Sequence, residues 1–85
     1  DAEVDALINQ HSEDWRVERM ARMDRYILRL AVAEMKYEPR VDVGVSINEA
    51  VELAKRFGNA NSAQFVNGIL DKLKRSDERG IKGEN

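Results

Sequence analysis

Cysteine is absent from the 85 residues, so neither a disulfide framework nor a thiolate metal site can form. Histidine occurs once, at His11, which is too few for a metal cage. Proline also occurs once, at Pro39, and aromatic residues make up only 6% of the chain. No apolar stretch approaches the roughly 20 residues that a membrane-spanning helix needs, and no signal peptide is visible. The expected location is therefore cytoplasmic. Charge of neither sign dominates, because 14 Lys and Arg stand against 16 Asp and Glu. A nucleic-acid binder is usually basic on at least one face, and this balance does not announce one. No Ser/His/Asp set, glycine-rich phosphate loop or carboxylate pair in a recognisable site is present. The expectation is a protein without catalytic residues and without a cofactor.

What the chain does have is helical periodicity. Its length allows one domain, and a domain of this size buries only about 60% of its unfolded surface. In segment 2–11, Val4, Leu7, Ile8 and His11 follow the spacing of one helix face. Trp15 continues that stripe, while Ser12 offers an alternative cap, so the boundary over 12–16 stays open. Segment 18–38 reads as the longest helix. Met20, Met23, Ile27, Leu30, Ala31 and Glu34 form one stripe on it, and Leu28, Val32 and Met35 form a second. Two apolar faces predict a central helix packed on both sides. Pro39 ends it, and 40–45 is a connection.

Segment 47–57 follows, with Ser46 and Glu49 spaced as a capping box. Ile47, Ala50, Val51, Ala54 and Phe57 share a face, and Leu53 sits off it. Gly58 suits the left-handed position that closes a helix. Segment 62–74 has Asn61 as its expected N-cap, with Gln64 three residues on. Its apolar set is Phe65, Val66, Ile69, Leu70 and Leu73. Gly68 in its interior costs about 1 kcal/mol relative to Ala, which requires either a close backbone neighbour or a tolerated defect. The tail 75–85 carries one large apolar residue, Ile81, and is expected to be disordered. No segment alternates as a strand would. The fold class is all-α, a small bundle of about four helices over residues 1–74.

Three constellations could carry function. Arg22, Arg25, Arg29 and Lys36 lie on one face of the long helix and form the only organised basic feature. They either contact phosphate or an acidic partner, or form a solvated face or ion pairs with Glu18, Asp24, Glu49 or Glu52. The second is favoured, and Arg29, between the two apolar stripes, is expected to form a structural ion pair. Phe57 and Phe65 flank the turn 58–64. Rings at such a corner could stack unpaired bases, but their stripe positions favour core. Asn59, Asn61 and Ser62 fit turn and cap chemistry better than binding. His11 reads as a packed or surface histidine.

Beyond these physical readings, the chain resembles the NusB family from Trp15 to Leu73. The carriers are Asp24-Arg25 with Ile27 to Ala31 and Glu34-Met35, then INEAVELAKRFG at 47–58, then FVNGILDKL at 65–73. A related helical domain precedes some rRNA cytosine methyltransferases, in which the last block tends to read LVNAVLR. Phe65, Gly68 and Asp71-Lys72 favour the antitermination branch, and the methyltransferase accessory domain is the alternative. The resemblance implies an all-helical fold and a role in antitermination of ribosomal RNA operons. It implies pairing with ribosomal protein S10 (NusE), binding of boxA RNA and action in the transcription elongation complex. Asp24, Arg25, Phe57, Asn61 and Phe65 would then lie on the partner and RNA surface, which brings the two phenylalanines to an even balance between core and function.

NusB-like proteins also carry an arginine-rich segment and a helical N-terminal half that this sequence does not contain. The chain begins at Asp1 already in helical rhythm, and so reads as the C-terminal portion of such a protein. Weak RNA binding by this portion alone is expected, because phosphate neutralisation dominates nucleic-acid affinity. Apolar surface left exposed would favour self-association or contact with another chain.

Overall fold

The computed structural model describes residues 2–11 and 20–77. Four α-helices follow one another, α1 (Ala2–His11), α2 (Arg22–Tyr37), α3 (Val43–Phe57) and α4 (Ser62–Asp77). There is no strand among the described residues, so the all-α reading holds. Trp15, Glu18 and the open boundary after His11 lie outside the described residues.

The core is assembled from all four helices. Val4 and Ile8 of α1 are buried, with Leu7 packed partly against them. On α2 the second stripe is fully inside, with Leu28, Val32 and Met35 buried. The first stripe divides. Ile27, Ala31 and the preceding Met20 are buried, whereas Met23 and Leu30 remain exposed. Helix α2 packs against α1, α3 and α4, as a central helix should. It ends where expected, with the Glu38 N–H donating to the Glu34 carbonyl at 3.0 Å just before Pro39.

Helix α3 starts four residues earlier than the spacing predicts. Asp42 is the N-cap, and its carboxylate accepts from the Gly44 N–H at 3.0 Å. The Ser46–Glu49 capping box does not form. Ser46 already lies inside the helix, buried, and its hydroxyl donates to Glu34 Oε1 of α2 at 2.6 Å. The earlier start lets Val43 bury its side chain. Two good caps stood four residues apart, and burial of that apolar residue chose the first.

Gly58 closes α3, but not in the left-handed conformation. Its backbone is extended, at φ −93° and ψ −170°, and its N–H donates to the Ala54 carbonyl at 2.9 Å. Crowding demands the glycine instead. A Cβ there would collide with the Ser62 side chain and lie 2.8 Å from the Ala54 carbonyl oxygen. Helix α4 then buries Val66, Ile69, Leu70 and Leu73. It runs to Asp77, so residues 75–77, expected in the tail, are helical. The rest of that tail, 78–85, lies outside the described residues.

Candidate partner and nucleic-acid interface

The basic face of α2 splits into two halves. Arg29 grips Asp5 of α1 with two hydrogen bonds, Nε to Oδ1 at 2.8 Å and a terminal guanidinium nitrogen to Oδ2 at 2.9 Å. Arg29 does form a structural ion pair, though with none of the acids expected for it. Lys36 Nζ lies 3.2 Å from Glu3 Oε1, and the Tyr37 hydroxyl donates to the same oxygen at 3.2 Å. The hydrogen bond from Arg29 holds the Asp5 carboxyl below its ordinary pKa, aided by the guanidinium charge. The hydrogen bonds from Lys36 and Tyr37 do the same for Glu3. Arg29 and Lys36 thus clasp α1. Arg22 is exposed and Arg25 half-buried, and neither forms an ion pair with another described residue.

Asp24 sits in the first turn of α2, where a carboxylate suits the positive end of the helix dipole. It is only 7% exposed, and its Oδ1 has no hydrogen-bond partner among the described residues. The N-cap residue, Ala21, supplies no side-chain cap.

At the corner between α3 and α4 the two phenylalanines part company. Phe57 is 57% exposed, so the spacing-based core reading fails for it. It is the last residue of α3, and its stripe runs past the end of the core. The Arg56 guanidinium lies over its ring, 5.6 Å from the centroid. Phe65 is half-buried and packs against the core. Asn59 and Ser62 lock the turn. The Asn59 amide oxygen accepts from the Asn61 N–H at 2.9 Å and from the Ser62 hydroxyl at 3.2 Å. The Ser62 hydroxyl in turn accepts from the Asn59 N–H at 2.8 Å. Asn61 occupies the N-cap position through its backbone, its carbonyl accepting from the Phe65 N–H at 3.0 Å. Its side chain is exposed and makes no hydrogen bond to a described residue, so the expected side-chain cap is replaced by the Asn59–Ser62 lock.

No hydrogen bond or ion pair among the described residues joins Asp24 and Arg25 to the Phe57, Asn61 and Phe65 corner. Arg56 was missed by the sequence reasoning, although its position beside Phe57 was visible. His11 proves structural. Its Nδ1 lies 2.8 Å from the Leu7 carbonyl and its Nε2 lies 2.9 Å from the Ser76 hydroxyl. No group of three His, Asp or Glu side chains among the described residues could hold a metal ion. No described helix is long and apolar enough to cross a membrane.

Comparison with known proteins fits this geometry. The sequence model of the NusB family matches residues 1–75. The transcription antitermination protein NusB of Myxococcus xanthus (strain DK1622) is 56% identical over 71 residues, covering 84% of this chain and 51% of that protein. The protein of the same name from Bacillus subtilis (strain 168) is 47% identical over 77 residues, covering 91% and 59%. A solved structure of T. maritima NusB superposes with a TM-score of 0.82 at 43% identity, covering 87% of this chain and 52% of that one. This chain therefore spans about half the length of the relatives it matches. A helical framework shared with a solved NusB, together with a family match over nearly the whole sequence, leads to one conclusion: the chain belongs to the NusB family.

Proposed function

We propose that this chain acts in transcription antitermination by pairing with ribosomal protein S10 (NusE) and contributing to the binding of boxA RNA of ribosomal RNA operons within the elongation complex. The observation that carries this reading is the close match, about half identical over most of the chain, to proteins named for transcription antitermination. The protein works by binding, in the cytoplasm, and catalyses nothing.

The residues divide by task. Phe57, exposed and backed by Arg56, is suited to stack an unpaired base. Asn61 offers a solvent-facing amide in the turn that follows, and Phe65 lies half-buried in the first turn of α4. Arg22 and Arg25 supply the cations at the start of α2, next to Asp24, and this end is assigned to S10. Arg29 and Lys36 are withdrawn from RNA contact because α1 already engages them. With more acids than bases, the chain alone holds RNA weakly, and S10 supplies the missing affinity.

Titration with S10, with and without boxA RNA, tests the reading. Binding of S10, and tighter RNA binding by the pair than by either protein alone, is expected. Absence of S10 binding rejects the reading. Phe57→Ala should weaken RNA binding by the pair about tenfold, the scale of one lost base stack, while leaving the melting curve unchanged. Unaltered RNA affinity would remove Phe57 from the contact surface.

A further inference from the structure

One feature outside that corner is a slot between α2 and α3. Ile27, Ala31 and Ala50, all buried, make its floor, and Leu30, 46% exposed, makes one wall. The two alanines, one on each helix, have only a methyl group to offer the space they line. Its volume is about 180 Å³. Small-molecule sites run from roughly 300 to 1,000 Å³, whereas a cavity of about 150 Å³ takes a benzene ring. The slot is therefore sized for a single side chain and not for a cofactor.

The mouth of the slot is acidic. Glu34 and Glu49 both line it. Glu34 is fixed in place by the Ser46 hydroxyl. Elsewhere on the molecule Glu3, Asp5, Glu52 and Asp71 each have a cation within ion-pair distance. Glu34 and Glu49 have none among the described residues. Two uncompensated carboxylates repel phosphate and attract a basic protein surface.

We propose that this slot receives an apolar side chain from a basic segment of the protein partner, with a neighbouring Lys or Arg of that segment meeting Glu34 and Glu49. The proposal rests on the reading above, in which that partner is S10. It assigns a docking point on the α2–α3 face, whose lining includes neither Phe57 nor Asp24. An aliphatic or aromatic anchor in a desolvated pocket, ringed by charge, is how few residues come to dominate an interface.

The test measures S10 affinity for the wild-type chain and for Leu30→Ser, Glu49→Lys and Glu49→Gln. Leu30 and Glu49 are both surface positions, and circular dichroism checks that each variant keeps its helices. A loss of about tenfold is expected for Leu30→Ser and more for Glu49→Lys, with Glu49→Gln between Glu49→Lys and wild type. The Glu49→Lys loss should shrink as salt rises from about 0.05 to 0.5 M, because screening weakens the lost attraction. Wild-type affinity in all three variants overturns the slot but leaves the S10 reading standing. No S10 binding by the wild type overturns both. Loss of boxA RNA affinity with S10 affinity intact would assign the slot to RNA and overturn the proposal. So would a wild-type dimer that the same substitutions convert to a monomer.

Discussion

Two glycines in this chain have opposite reasons for being there. At Gly58 an added Cβ meets Ser62 and the Ala54 carbonyl, while at Gly68 it meets nothing within 4 Å. Gly58→Ala should therefore lower the melting temperature, since two backbone segments would have to move apart. Gly68→Ala should raise stability by about 1 kcal/mol, the helix-propensity gain at an exposed position. Thermal melts of the two variants would decide it, and equal signs would refute the crowding account. The sequence marked both glycines but misjudged Gly58. A helix-closing glycine suggests a left-handed backbone by default, whereas the contact that excludes a side chain here comes from the next helix. The same limit applies to Phe57. Spacing tells which face of a helix a residue shares, but not where along the axis the core stops.

Helix α1 is anchored in the core by Val4 and Ile8 and carries polar clasps as well. Asp5 with Arg29, and Glu3 with Lys36 and Tyr37, fasten it along α2. Both carboxyl groups have pKa values below their ordinary ones in the folded chain. The stabilisation is therefore complete above the unfolded carboxylate range near pH 4 and disappears as pH falls through the lower folded values. Urea midpoints measured between about pH 7 and pH 3 should fall less steeply in Arg29→Ala than in the wild type. Parallel curves would show that the clasp is not coupled to protonation. The heptad-like stripes of α1, α2 and α4 were readable because helical periodicity is local. The partners of Arg29 and Lys36 were not, because Asp5 and Glu3 approach from a helix more than 20 positions away. The start of α3 failed for another reason, since Asp42 and Ser46 are comparable caps, and burial of Val43 together with the Ser46–Glu34 hydrogen bond favours the first.

Across the whole molecule, the Cα radius of gyration is 11.7 Å, against roughly 12 Å for a compact domain of this length. A chain that spans half of its relatives still closes around its own core of Ile8, Leu28, Met35, Leu70 and Leu73. The His11–Ser76 hydrogen bond adds a topological meaning to that closure, because its two ends are 65 positions apart. It turns the described chain into a ring in which the first helix is tied to the last turn of the fourth. Ser76→Ala should cost only about 1 kcal/mol in total. Its signature should nevertheless appear far away in sequence, as faster amide hydrogen exchange in α1, with the middle of α3 unaffected. If exchange quickened only in α4, the ring would be open. If it quickened in α1, the end of α4 would act as a latch on a helix at the opposite end of the described chain.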